Sequence, residues 1–283
     1  MLQDTRVAFI GSGAMAGAMI AGLMVQKLTS PENIIAAGPR SERAKELNAK
    51  YNIRSTTDNC KAIDGASLVV LSTKPQVLPE ILSELAGKIQ PDALVLSILA
   101  GIKIETVSAG LRHSGIVRAM PNTPARIGEG ITVWTDSDSV TDLQRKQAEM
   151  ILSALGEQVF VDNENYLDMA TALSGTGPAY VFLFMEALVD AGVHMGFSRH
   201  VAEKLVLQTV KGSVDYVLHS PNHLARLRNL VTSPGGTSAE AIYFLEKAGF
   251  RTALSRAVWA AYQRSVQLGG GQSTVSPPDN SNQ

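Results

Sequence analysis

The chain has 283 residues, with 25 Lys and Arg set against 26 Asp and Glu for a formal net charge of −1. That length suits two domains with a real core, and 45% apolar with 18% charged residues excludes both wholesale disorder and a fibrous repeat. With no basic excess to neutralise a phosphate backbone, and an apolar stretch at 93–102 about half the roughly 20 residues of a spanning helix, neither nucleic acid nor a membrane is expected as a partner.

Residues 1–6 lead straight into a strand without a signal-peptide pattern, and Cys60 is the only cysteine, so no internal disulfide can form. Both features set the expectation of a cytoplasmic protein. From residue 6 to about 133, short β-branched runs at 7–10, 34–37, 68–72, 94–98, 116–119 and 131–134 alternate with helical stretches. That rhythm predicts βαβ units and a parallel sheet covered on both faces.

The first strand runs into Gly11-Ser12-Gly13-Ala14-Met15-Ala16 at the start of a predicted helix. Gly11 permits the tight turn, Gly13 lets a pyrophosphate approach the backbone, and Ala16 is small enough for close helix packing. Free amides at the helix start bind the phosphates. After the second strand comes Gly38-Pro39-Arg40-Ser41-Glu42-Arg43, with no acid at the tip to accept from a ribose 2'-hydroxyl. Arg40 and Arg43 with the Ser41 hydroxyl either surround a 2'-phosphate or are solvated surface groups. The first reading predicts an oxidoreductase that prefers NADP(H), with NAD(H) possible, because a charge-assisted contact is worth roughly 1.5 to 3 kcal/mol.

Beyond residue 162 the pattern becomes helical. Segments 179–194 and 199–219 carry a 3.6-residue period, with Ser198 as N-cap and Gly192 and Gly196 interrupting between them. The stretch 179–188 is apolar almost all round, so it is buried either within its own chain or against a second copy in a homodimer. Leu173-Ser174-Gly175-Thr176-Gly177-Pro178-Ala179-Tyr180 reads as a sharp helix-to-helix break, with Pro178 in a first turn. Leu230-Val231-Thr232-Ser233-Pro234-Gly235-Gly236-Thr237-Ser238 gathers hydroxyls and amides at one helix start, either a capped terminus or a site for a small carboxylate. The tail 269–283, rich in Gly, Ser, Pro and Asn, is expected to be disordered. The five histidines, His113, His194, His200, His219 and His223, show no metal-ligand or triad spacing, so no metal site is expected.

Taken together, these strings resemble the pyrroline-5-carboxylate reductase family over about residues 5–268. The likeness includes the glycine turn, Lys74-Pro75, Ala100-Gly101, Pro121-Asn122-Thr123-Pro124, the 173–180 string and the Thr-Ser-Pro-Gly-Gly string. It implies an α/β chain, an N-terminal Rossmann-type doubly wound parallel sheet with an all-helical C-terminal dimerisation domain. The divisions would be 1–161 for NADP(H), 162–268 for substrate and dimerisation, and 269–283 as tail. The implied reaction is hydride transfer to C5 of the imine of (S)-1-pyrroline-5-carboxylate, giving L-proline, in a homodimer or higher homo-oligomer.

Carried over by resemblance, cofactor contacts fall on Ile10, Gly11, Ser12, Gly13, Ala14, Met15, Asn59, Ser72, Thr73, Lys74, Pro75, Leu99, Ala100 and Gly101, with Asn122 near the nicotinamide or serving as turn chemistry. Substrate contacts fall on Glu164, Ser233, Gly236, Thr237 and Ser238, although Glu164 could instead fix a dimer-formed pocket. Ser238 stands where the family commonly has Thr; it keeps the hydroxyl expected to act on the ring nitrogen and loses the rotamer-restricting methyl. A β-hydroxyacid dehydrogenase would need a catalytic lysine early in the helical half, and none lies between Lys146 and Lys204. A non-enzymatic NADPH-binding regulator is the other alternative.

Overall fold

The computed structural model describes residues 2–3 and 5–271, without the side chains of Ser41 and Ala44. The expectations for the Ser41 hydroxyl and for tail residues 272–283 lie outside the described residues. Two compact units form, one from residues through Thr176 together with those from Ala260, the other Gly177–Trp259. The switch from sheet to helix does fall near 162, but the helix that follows it stays with the sheet, and the chain returns there at its end.

In chain order the first unit contains β1 (Val7–Ile10), α1 (Ala14–Val25), β2 (Ile34–Ala37), α2 (Ser41–Tyr51), β3 (Arg54–Thr56), α3 (Asn59–Ile63), β4 (Leu68–Leu71), α4 (Leu78–Leu85), β5 (Leu94–Ser97), α5 (Ile104–Leu111) and β6 (Ile116–Met120). It continues with β7 (Gly130–Asp136), α6 (Asp142–Ser153), β8 (Gly156–Phe160) and α7 (Asn165–Ala170). The eight strands lie in the order β3-β2-β1-β4-β5-β6-β7-β8. From β3 to β6 all pairs are parallel. The sixth expected strand does not continue that pattern, since β7 runs antiparallel to β6. Its connection is the short 3₁₀ turn Thr123–Ile127, and a parallel crossover needs a dozen or more residues. Neither β3 nor β8 was predicted: β3 has only three residues, and β8 leaves Val159 and Phe160 exposed.

Alternation along β1 shows how both faces are covered. Val7 and Phe9 pack with Met19, Ile20 and Leu23 of α1 and Ile151 and Leu152 of α6, while Ala8 and Ile10 pack with Leu82 and Leu85 of α4 and Leu111 of α5. Each large apolar side chain buried this way is worth about 1.5 to 3 kcal/mol. Because β1 sits between β2 and β4, the strand order reverses there, and a crevice opens beyond the carboxyl ends of β1 and β4.

The second unit holds α8 (Gly177–His194), α9 (Arg199–Leu218), α10 (Leu224–Leu230), α11 (Thr237–Lys247) and the first half of α12 (Phe250–Leu268). Ser198 caps α9 as expected, accepting from the Val201 amide at 3.4 Å. Gly192 does not interrupt. It lies buried inside α8, where an added Cβ would stand 3.0 Å from the Cβ of Ala202, so it serves close packing against α9, and the break falls at Gly196 with φ +110°. The 173–180 string is not a sharp break either. Residues Thr171–Gly175 form a π turn between α7 and α8, in which the Thr176 amide bonds five residues back to the Thr171 carbonyl at 2.8 Å. Pro178 has no amide for the carbonyl of Ser174, and that carbonyl accepts instead from Asn122 Nδ2 at 3.2 Å.

The resulting helical run 165–194 is long and apolar enough to cross a membrane by length and composition, which a search for an uninterrupted apolar stretch passed over. Asp168, Glu186 and Asp190 punctuate it, and Asp168 is ion-paired within the first unit. Val181, Phe182, Leu183 and Phe184 are all exposed on α8 in the single chain, so its own unit does not bury this helix.

Candidate functional site: a phosphate turn and an uncapped helix

The turn after β1 is built by its neighbours. Gly11 has φ +104° and donates to the Ala37 carbonyl at 3.0 Å, and a Cβ there would lie 2.6 Å from the Ser72 carbonyl oxygen, so only glycine fits. Ser72 Oγ donates to the Gly11 carbonyl at 2.8 Å and fastens the turn to the end of β4. A Cβ on Gly13 would meet only the Ser72 oxygen at 4.0 Å, which leaves open the approach to α1, and no side chain caps that helix. Thr73 Oγ1 is buried there without a hydrogen-bond partner among the described residues. An open cradle, uncapped amides and an orphan hydroxyl together fit the phosphates of a dinucleotide.

Ile10 to Met15, Ser72 to Pro75 and Leu99 to Gly101 all follow the carboxyl ends of β1, β4 and β5, as the resemblance implies. Lys74 is exposed, ahead of a 3₁₀ turn begun by Pro75. Gly101 needs its φ of +74°, but its neighbours are the Ser265 carbonyl and Leu268 Cβ, both 2.8 Å from an added Cβ, so the end of α12 docks on it. Two expected cofactor residues bond to protein groups. Asn59 Nδ2 donates to Glu84 Oε2 at 2.7 Å, and Asn122, besides holding Ser174, accepts from the Ile131 amide at 3.0 Å. Asn122 thus fixes the β6–β7 connection.

Of the two arginines after β2, Arg40 is exposed and Arg43 is a brace. Arg43 Nε donates to the Ser12 carbonyl at 3.1 Å and its Nη1 pairs with Glu46 at 2.7 Å, which ties α2 to the phosphate turn. Both line a cavity of about 540 Å³ together with Gly13, Ala14, Gly17 and Arg126. Arg126 was not foreseen from the sequence, because nothing in the string around 121–128 places it beside α1. Cys60 has neighbours that the sequence did not suggest: Lys88 Nζ lies 3.3 Å from its sulfur, and Asp58 and Glu84 bring carboxylate oxygens close to it.

Glu164 sits in the first unit within a buried network. Arg118, 2% exposed, pairs through Nη1 with Glu164 at 2.9 Å and through Nη2 with Asp168 at 3.0 Å. The Glu164 carboxylate also accepts from the Ile104 amide at 2.7 Å, capping α5, and Ser265 Oγ donates to Asp168 at 2.9 Å. Sequence reasoning missed Arg118. The signal was a lone arginine inside the apolar run 116–119, which a sheet buried on both faces tolerates only if carboxylates meet it.

In the second unit, the string 230–238 forms the start of α11. Gly235 takes φ +70°, and the Gly236 amide donates to the Ser233 carbonyl at 3.0 Å, closing the turn. Gly236 is the N-cap, and no side chain caps the helix, although Ser233, Thr237 and Ser238 all flank it. The amides of Thr237 and Ser238 have no acceptor among the described residues. The capped-terminus alternative is therefore not what forms, and the free donors are those of Thr237 and Ser238 rather than Gly236.

Residues 164–268 match the family model for pyrroline-5-carboxylate reductase dimerisation, and residues 6–101 match that for NADP oxidoreductase, coenzyme F420-dependent. The chain is 43% identical to the pyrroline-5-carboxylate reductase of Synechocystis over 94% of its own length and 99% of that protein. It is 39% identical to the Pseudomonas aeruginosa pyrroline-5-carboxylate reductase over 94% and 98%. The crystal structure of Plasmodium falciparum pyrroline carboxylate reductase with NADP bound is similar at a TM-score of 0.87, with 32% identity and coverage of 94% and 99%.

Proposed function

The chain belongs to the pyrroline-5-carboxylate reductase family, and from that premise we propose that it reduces (S)-1-pyrroline-5-carboxylate to L-proline with NADPH in preference to NADH. When bound, the reduced nicotinamide supplies a hydride to the imine carbon C5, and the ring nitrogen takes its proton from solvent.

The residues of the chain bind and orient. The Gly11–Gly13 turn and the start of α1 hold the phosphates, and Arg40 carries the positive charge for a 2'-phosphate. At α11 the Thr237 and Ser238 amides, with the Ser233 hydroxyl, grip the substrate carboxylate. Gly236 shapes the turn that frees those amides. The Ser238 side chain has no hydrogen bond among the described residues, and its hydroxyl meets the ring nitrogen, which aims C5. A protonated imine already attracts a hydride, so no strong general base is required and orientation supplies most of the acceleration. The observation that carries this reading is the uncapped α11 start with two unsatisfied amides beside three hydroxyls.

The exposed apolar face of α8, within the stretch matched by the dimerisation model, supports a homodimer, and a single cysteine agrees with a reducing, cytoplasmic location. The test is purified protein mixed with pyrroline-5-carboxylate, following loss of reduced-nicotinamide absorbance with NADPH and then NADH. Turnover with formation of proline is expected. Cofactor binding without turnover would leave a non-enzymatic NADPH-binding regulator and overturn the assignment.

A further inference from the structure

We propose that Arg126 is a cofactor-binding residue that, opposite Arg40, reads the 2'-phosphate of the adenosine ribose; this rests on the NADP(H) preference proposed above. Arg126 lines the same cavity as Gly13, Ala14 and Arg40, although it comes from the β6–β7 connection, some 85 residues downstream of Arg40 by position in the chain. Its backbone is held. Ala125 is 3% exposed and its amide donates to the Asn122 carbonyl at 3.2 Å, the Asn122 side chain in turn accepts from the Ile131 amide and donates to the Ser174 carbonyl, and Gly128 closes the turn with φ +77°. The anchored Arg126 side chain is itself exposed, facing the cavity.

Charge points to the ligand. Arg43 is already matched by Glu46, whereas Arg40 and Arg126 make no ion pair among the described residues. Two uncompensated guanidinium groups suit a phosphate monoester, which carries about −1.5 to −2 near neutral pH. The pyrophosphate is served separately by the amides at the start of α1. Small residues make the space: Ala14, Gly17, Ala18 and Ala21 fall on one face of α1 and line the cavity floor, and Arg43 Nη2 would lie 2.8 Å from a Cβ on Gly17.

The test compares NADP⁺, NAD⁺, 2',5'-ADP and 5'-AMP binding by calorimetry for the unaltered full chain, Arg126→Gln and Arg126→Lys. For Arg126→Gln, affinity for NADP⁺ and 2',5'-ADP should fall on the order of tenfold, while NAD⁺ and 5'-AMP stay within about twofold. Arg126→Lys should retain part of the loss-sensitive affinity and steepen no salt dependence. Equal loss for NADP⁺ and NAD⁺ would place the side chain at the pyrophosphate and overturn the proposal, as would no loss at all. Should the unaltered chain bind NADP⁺ and NAD⁺ alike, the NADP(H) preference itself fails and this inference with it. A preference that survives intact in Arg126→Gln removes only Arg126. Equal urea midpoints for the variants and the unaltered chain confirm that the fold is kept.

Discussion

Arg118 offers a test of the buried network through a double-mutant cycle. Its side chain is 2% exposed and that of Asp168 7%, so neither charge can turn to water, while Glu164 at 27% is partly wetted. Arg118→Met keeps an unbranched apolar stem but leaves Asp168, among the described residues, with the Ser265 hydroxyl at 2.9 Å as its remaining hydrogen-bond donor. Breaking a buried pair in this way costs about 3 to 5 kcal/mol, whereas replacing both charges with apolar groups is often near neutral. Arg118→Met with Asp168→Leu should therefore lose less stability than Arg118→Met alone, with a coupling energy above about 1.5 kcal/mol. Urea unfolding reads the outcome through Trp134, which is 2% exposed and paired with Ala119, the residue after Arg118 on β6. A Trp259→Phe background removes the second tryptophan. If the double loss equals the sum of the single losses to within about 0.5 kcal/mol, the network is not a coupled unit and the argument fails.

Ser238→Ala should retain NADPH binding and lower kcat/KM by tenfold or more, on the order of one hydrogen bond to a charged nitrogen, in steady-state kinetics; unchanged kinetics would remove Ser238 from the mechanism. Arg40→Asp should weaken NADPH far more than NADH in fluorescence titrations, and equal losses would contradict its assignment to the 2'-phosphate. Thr237→Pro deletes one carboxylate-binding amide at the first helical position, where proline is tolerated, so the thermal midpoint should hold while KM for the imine rises about tenfold. An unaltered KM would show that the amide does not touch the substrate.

Much of the fold was legible because its cause is local. The β-branched runs, the glycine turn and the Ser198 cap each follow from residues within a few positions, and all three form where the sequence places them. The misreadings came where a distant partner decides. Gly192 reads as a breaker until Ala202 of the next helix is seen against it, and the packing of the end of α12 on Gly101 has no local signal at all. Nor does the sequence around Asn59 and Asn122 signal the bonds they make to Glu84, Ser174 and the Ile131 amide. The sequence singles out the Gly235-Gly236 pair, yet which amide it exposes depends on the Ser233 carbonyl, and only a closed turn decides that.

Helix starts differ in what satisfies their amides, and the proposed anion sites all fall on starts without a side-chain cap, a property that α4 and α7 share. Asp58, Thr141, Ser198 and His223 cap α3, α6, α9 and α10 with their own side chains, and Glu164 reaches across to the first amide of α5. Each such cap is worth about 1 kcal/mol. α1 and α11 begin instead on Gly13 and Gly236, and α2 on Arg40, with no side-chain cap on any of the three. In the proposed reading these are the termini that meet the pyrophosphate, the substrate carboxylate and the 2'-phosphate. The anion then completes the helix, so the backbone donors left unsatisfied for binding are also the groups through which binding stabilises the fold. At a ligand concentration one hundred times Kd that linkage is worth about 2.7 kcal/mol. It follows that NADPH should protect the amides of α1, and a carboxylate substrate analogue those of α11, each in its own compact unit.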